Sequence, residues 1–91
     1  MQKHILFKGR VQGVGFRYSA QRFADILAVK GWVRNLASGD VELVAQGKEV
    51  QIEGLISDLH EKFGSNIVEV LSQDSPVTED FDSFNIRHDA R

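Results

Sequence analysis

The sequence has no cysteine, a single proline and no long apolar run. Without cysteine there is no disulfide, no thiolate nucleophile and no zinc–sulfur site. A membrane-spanning helix needs about 20 consecutive apolar residues. The first residues, Met1 to His4, also lack the apolar stretch of a secretory signal. We therefore expect a cytoplasmic protein with no membrane partner.

The composition is that of an ordinary globular protein. Of the 91 residues, 42% are apolar and 26% are charged, which argues against a disordered or collagen-like chain. This length predicts a single domain over residues 1–91 with one modest core.

The first third of the chain changes from strand to helix periodicity across a glycine-rich segment. Residues 4–11 alternate between apolar and polar side chains, which predicts a strand. Residues 9–15 contain three glycines and are called the glycine loop below. From Phe16 to Leu27 the apolar residues recur at helical spacing, and Lys30-Gly31 is expected to end this helix.

The remaining elements also follow from periodicity. The sequence predicts, in order, a strand at 32–36, a turn at 37–40, a strand at 41–45, a helix from Gly47 to a C-cap at Gly64, a strand at 67–71, a loop at 73–80 and a short strand holding Phe84 and Ile86. The order βαββαβ, plus one short strand, predicts an α+β sandwich of the ferredoxin-like type. We expect a mainly antiparallel sheet of four or five strands with two helices on one face.

This topology brings two distant segments to one edge of the sheet. The first and second strands run parallel, with the third strand between them. Asn35, near the end of the second strand, is therefore expected about 10 Å from the glycine loop, two strand spacings away.

The glycine loop and the helix after it predict an anion site. Glycines let backbone N–H groups turn towards a ligand, and a helix N-terminus favours negative charge. Arg17 falls in the first helical turn, where its planar fork could bind phosphate; the alternative is an ordinary exposed arginine. The amide of Asn35 could hold a water molecule; the alternative is a residue that shapes the turn. Phe16 and Trp32 are predicted to be core residues.

Charge is distributed unevenly along the chain, whose net charge is −2. Residues 1–37 carry seven basic residues and one acidic residue, and residues 38–91 carry four basic and twelve acidic. Two solvated faces would explain this pattern. A positive potential near the glycine loop of an acidic protein would explain it too, and would favour a small anion over a nucleic acid. Arg10 and Arg34 are predicted to lie at the rim of that region.

Several common sites are excluded by the residues present. The glycine loop does not end in lysine and serine or threonine, so it is not a nucleoside triphosphate loop. A dinucleotide loop requires a parallel sheet, which this order of elements does not build. The histidines His4, His60 and His88 lack metal-ligand spacing. The residues present therefore indicate none of these sites.

Two motifs resemble a known family. Gly9-Arg10-Val11-Gln12-Gly13-Val14-Gly15-Phe16-Arg17 closely resembles the signature of the acylphosphatase family, and so does Gly31-Trp32-Val33-Arg34-Asn35. The late Phe84-Asn85-Ile86-Arg87 is similar to the closing strand of that family. The resemblance covers nearly the whole chain.

The resemblance implies an activity and a site. Members of the family cleave the carboxyl–phosphate bond of acyl phosphates without metal or cofactor. Carried over by position, Asn35 orients the attacking water and Arg17 binds the phosphate together with loop backbone groups of Gln12, Gly13, Val14, Gly15 and Phe16. We expect a monomer whose small acyl phosphate substrate competes with inorganic phosphate or sulfate.

Two other functions are compatible with parts of the sequence. RNA-recognition domains share the predicted topology, and Gly13 to Tyr18 faintly echoes their aromatic signature. That signature belongs on the third strand, where residues 41–44 offer no aromatic side chain, so we expect no nucleic acid partner. The other alternative is a relative of the acylphosphatase-like domains in larger carbamoyl-handling enzymes. The short chain favours the free hydrolase.

Overall fold

Five strands and two α-helices make up the computed structural model, which describes residues 1–89. They are β1 Gln2–Gly9, α1 Phe16–Leu27, β2 Lys30–Asn35, β3 Val41–Gln46, α2 Glu49–Phe63, β4 Ile67–Asp74 and β5 Phe84–Ile86. A short 3-10 turn, Gly64–Asn66, joins α2 to β4. The predicted order of elements is confirmed.

The strands form one sheet in the order β4-β1-β3-β2-β5. All neighbours are antiparallel except β2 and β5, which run parallel. Val41 of β3 pairs with Phe7 of β1 on one side and with Asn35 of β2 on the other. Asn35 therefore lies level with the end of β1, two strands away, and the predicted ferredoxin-like topology is confirmed.

The core lies between the sheet and the two helices. Phe16, at the start of α1, packs against Phe7 and Phe63 with ring centroids 4.9 and 4.8 Å apart. It is 2% exposed, as predicted for a core residue. Because aromatic packing of this kind is dense and rigid, Phe16 anchors the N-terminus of α1 directly beside the glycine loop.

The first helix ends earlier than its sequence predicts. Lys30 and Gly31 belong to β2, and α1 stops at Leu27 with Ala28 in the left-handed conformation at φ 59°. The N–H groups of Ala28 and Val29 donate to the carbonyls of Asp25 and Ala24. These bonds supply donors to two carbonyl groups at the end of the helix without a glycine at the C-cap. The C-cap predicted at Gly64 of α2 is confirmed.

The bounds of the strands also differ from their predictions, most clearly in β1 and β4. Pairing with Gln46 of β3 extends β1 back to Gln2, and β1 ends at Gly9, so Val11 is buried outside the strand. The β4 strand continues to Asp74 because that residue pairs with Lys3, which shortens the predicted 73–80 loop. Hydrogen bonding between strands decided these bounds, and the local pattern does not contain that information.

Trp32 does not lie in the core. Side chains alternate along β2, so the buried Val33 and Asn35 share one face and Trp32 shares the open face with Arg34. The guanidinium groups of Arg34 and Arg87 lie 5.0 and 4.6 Å from the indole ring, where cation–π attraction favours them. Trp32 lies two residues before the charged Arg34, and in a strand this spacing puts both side chains on the same face. The sequence could therefore have predicted that Trp32 lies on the open face.

Two glycines offer matched alanine substitutions with opposite expected effects. In Gly54→Ala, the new Cβ would lie 3.5 and 3.6 Å from the methyl carbons of Leu27, an ordinary contact. Better helix propensity should then stabilise α2 by about 0.5–1 kcal/mol. Gly31 has φ 137°, and a Cβ there would overlap the carbonyl oxygen of Val44, so Gly31→Ala should cost about 2–4 kcal/mol. Thermal denaturation measures both signs, and a lowered Tm in Gly54→Ala would contradict the first.

Candidate active site

The glycine loop presents an open helix N-terminus. Gly13 and Gly15 have φ 75° and 81°, and within residues 1–89 no atom beyond the neighbouring residues lies within 4 Å of where a Cβ would stand at either position. Gly15 is the N-cap of α1, and no side-chain hydrogen bond from the described residues caps that helix. The first backbone N–H groups of α1 therefore remain available to an anion. Val14, at the tip of the loop, is 41% exposed.

Side chains from elsewhere in the fold hold the loop in place. Gln12 Nε2 donates to the carbonyls of Leu36 and Asp40, at 2.8 and 2.9 Å. The Arg10 N–H donates to the Asn66 carbonyl at 2.8 Å, and Asn66 Nδ2 donates back to the Arg10 carbonyl at 3.1 Å. The side chain of Gln12 is thus occupied, which leaves its backbone to meet a ligand. Asn66 was missed by the sequence analysis because its partner is 56 residues away.

Asn35 carries a buried polar atom that has no hydrogen-bond partner among the described residues. The residue ends β2 and is 8% exposed. Within residues 1–89, its Oδ1 is the single buried side-chain nitrogen or oxygen that forms no hydrogen bond. Such an atom costs about 1–3 kcal/mol of stability unless a ligand or water satisfies it. The turn-forming alternative does not explain this oxygen.

Arg17 stands in the first turn of α1 and is already paired. Its Nη1 donates to Oδ1 of Asp89 at 3.0 Å, and the two side chains are 35% and 54% exposed. A cleft of about 700 Å³ opens beside it, lined by Arg17, Ile86, Arg87, His88 and Asp89. Asp89 had no place in the sequence analysis, and a separation of 72 residues leaves no local signal for the contact.

Ion pairs reduce the charge asymmetry of the sequence. Lys3 lies near Glu53 and Asp74, Lys8 pairs with Asp40 at 2.8 Å, and Arg34 pairs with Glu42 at 2.6 Å. The hydrogen bond with Asp40 raises the pKa of Lys8. Three basic residues of the first part of the chain are therefore balanced by acids of the second part, whereas Arg10 forms no ion pair with another described residue. Arg17 and the N-terminus of α1 contribute positive character to the site.

Glu42 lies on the open face of the sheet, and its titration should affect stability. Its carboxylate lies 2.7 Å from His4 Nε2 and 2.6 Å from Arg34 Nε. Burial alone would raise the pKa of Glu42, but its hydrogen bonds with His4 and Arg34 outweigh burial and hold that pKa below the ordinary 4.5. Because the folded pKa is below the unfolded one, Glu42 stabilises the fold above about pH 4.5, and this contribution is lost as pH falls through the folded value.

Glu42→Gln should therefore be less stable than the parent protein at about pH 7, and the difference should shrink towards about pH 3. Urea denaturation at several pH values measures this. Glu61→Gln, at an exposed position of α2, is the matched control and should keep the parental pH dependence. A difference that stays constant with pH in Glu42→Gln would contradict the assignment.

Residues 1–89 contain no membrane-spanning helix and no cluster of metal-ligating side chains. Neither helix in this range is long and apolar enough to cross a membrane. No group of three or more histidine, aspartate or glutamate side chains in the same range is arranged to hold a metal ion.

Comparison with known proteins identifies the family. A family model described as Acylphosphatase matches residues 3–86. The chain belongs to the acylphosphatase family. The acylphosphatase of Marinobacter nauticus is 42% identical over 86 residues, which make up 93% of this chain and 94% of that one.

Solved structures of the family have the same fold. The crystal structure of acylphosphatase from Bacillus subtilis superposes with a TM-score of 0.86 at 34% identity, covering 94% of this chain and 97% of that one. T. kodakarensis HypF matches with a TM-score of 0.85 at 32% identity, over 97% of this chain but only 12% of its own length. The acylphosphatase fold therefore also occurs as a small part of a larger protein.

The family and enzyme class expected from the sequence are confirmed: an acyl phosphate hydrolase. The RNA-recognition alternative loses its sequence support. Phe16 and Tyr18 lie on α1, with Phe16 in the core, so they form no aromatic platform on the sheet.

Proposed function

We propose that this acylphosphatase hydrolyses its substrate where the glycine loop, the N-terminus of α1 and Asn35 meet at one sheet edge. The observation that carries the proposal is the unpartnered Oδ1 of the buried Asn35, at the edge where the open N-terminus of α1 begins. An anion site beside an unsatisfied amide is suited to a phosphoryl group and one water molecule.

The phosphoryl group is held by charge and by backbone donors. The planar guanidinium of Arg17 can donate two parallel hydrogen bonds to phosphate oxygens. The loop N–H groups from Gln12 to Phe16, with the positive end of α1, oppose the remaining negative charge. Phe16 contributes its backbone, because its ring is fixed in the core.

Asn35 orients the water. Its Oδ1 accepts a hydrogen bond from the water and aims the water oxygen at phosphorus, opposite the leaving carboxylate. A new bond forms between the water oxygen and phosphorus as the bond between phosphorus and the acyl oxygen breaks. An amide cannot take up the proton of the water, so that proton passes to a phosphoryl oxygen of the substrate.

The chemistry of the leaving group makes a metal unnecessary in this proposal. A carboxylate leaves without protonation, so the enzyme has to neutralise the phosphoryl oxygens and position the water. The test is hydrolysis of acetyl phosphate by the purified protein in the presence of a chelator. We expect full activity, and the proposal fails if the activity disappears and returns with added Mg²⁺.

Four expectations from the sequence stay predictions. They are competition by inorganic phosphate or sulfate, a monomeric state, a single domain over residues 1–91 and a cytoplasmic location. Competition follows from the proposed site, because either anion fits the same donors. The pattern of inhibition in the acetyl phosphate assay measures it.

A further inference from the structure

The C-terminal segment brings a carboxylate to the arginine that the proposed function assigns to phosphate. The β5 strand runs parallel to β2, with Val33 opposite Ile86, and the Arg87 N–H donates to the Val33 carbonyl. The chain therefore leaves β5 towards the sheet edge at which Asn35 ends β2. This path takes Asp89 to Arg17, where its Oδ1 accepts the 3.0 Å hydrogen bond.

We propose that Asp89 is an internal competitor for Arg17: its carboxylate occupies the guanidinium until the phosphoryl group of the substrate displaces it. The inference rests on the proposed function, in which Arg17 binds phosphate. Both carboxylate and phosphoryl oxygens suit the same guanidinium donors, so the two ligands exclude one another at Nη1.

The form of the contact favours a competitor over a residue that positions Arg17. A positioning carboxylate is buried and fixed by further hydrogen bonds. The Asp89 side chain is 54% exposed, and the contact joins one guanidinium nitrogen to one carboxylate oxygen. An exposed pair of this kind is weak. A phosphoryl dianion, which also reaches the loop N–H groups, can displace it.

The competition has a limited size. Exposed ion pairs of this kind change an equilibrium by roughly 2- to 5-fold. Asp89 should therefore weaken phosphate binding by about that factor, and it should not affect the step after the phosphoryl group is bound.

Calorimetric titration with inorganic phosphate tests the proposal. Asp89→Asn should tighten the Kd for phosphate by about 2- to 5-fold. KM for acetyl phosphate should fall in parallel at unchanged kcat. Asp82→Asn removes the same charge from an exposed position of the same segment and measures the long-range effect alone. A higher Kd or a lower kcat in Asp89→Asn would show that Asp89 positions Arg17. An unchanged Kd would show that the contact is without effect. Either result overturns the proposal.

A double-mutant cycle separates this inference from the proposed function. In an Arg17→Ala background, Asp89→Asn should alter the Kd for phosphate no more than Asp82→Asn does. If the parent protein binds phosphate but hydrolyses no acyl phosphate, the proposed function fails and the effect of Asp89 on binding still stands or falls by its own measurement. If Arg17→Ala binds phosphate as well as the parent, the assignment of the site fails, and the inference fails with it.

Discussion

Arg17→Ala is expected to abolish measurable turnover and to weaken phosphate binding. Arg17 is a charged side chain in the first turn at the open N-terminus of α1, whereas Lys8 is paired with Asp40 and Arg34 with Glu42. Loss of charge-assisted hydrogen bonds should weaken the Kd for phosphate by about 10- to 100-fold. The same donors stabilise the negative charge of the transition state, so kcat/KM should fall by about 10³-fold or more.

The control lies on the same helix. Arg22→Ala removes the same kind of side chain from an exposed position of α1 and should leave both quantities nearly unchanged. Arg17→Lys keeps the charge but not the planar fork, and it should fall between the two. The assignment of Arg17 is wrong if Arg17→Ala retains the phosphate affinity of the parent.

Asn35→Ala is expected to separate binding from chemistry. The variant keeps Arg17 and the glycine loop, so the Kd for phosphate should stay within about 2-fold of the parental value. Without the amide the water is no longer aimed, and kcat should fall by about 10²-fold or more. Single-turnover kinetics with acetyl phosphate and calorimetric titration with phosphate measure the two effects.

The stability of this variant provides a second check. Oδ1 of Asn35 is buried without a partner, so its removal relieves a cost of about 1–3 kcal/mol and offsets the lost packing. We therefore expect a Tm close to the parental value. Asn85→Ala is the matched control, because Asn85 is exposed on β5 and bonds to Ser83; its kcat should not change. Parallel losses of kcat and phosphate affinity in Asn35→Ala would contradict separate roles for Asn35 and Arg17.

The elements of the fold are predictable because periodicity is local. The helical stripe from Phe16 to Leu27 and the alternation in β1 are properties of neighbouring residues. The boundaries are less predictable. Asp74 belongs to β4 because Lys3 lies opposite it, and Ala28 ends α1 because the carbonyls of Ala24 and Asp25 accept the last N–H groups.

The site divides in the same way. The glycine loop, Arg17 and Asn35 can be located from two short motifs, and the topology places them at one edge because β3 pairs with both β1 and β2. The bonds that hold the loop could not be predicted. Gln12 reaches the turn after β2, and Asn66 reaches Arg10, through contacts between segments far apart in the chain.

Local pattern alone thus specifies the strand–loop–helix unit, its family and the residues assigned to phosphate and water, since each depends on residues close together in sequence. Tertiary structure decides which basic side chains remain available to bind an anion. The sequence leaves open whether its basic residues form a positive region around the glycine loop or a solvated face, but Asp40, Glu42 and Asp89 approach Lys8, Arg34 and Arg17 in the fold. Charge balance depends on distances through space, and folding sets these distances independently of separation along the chain.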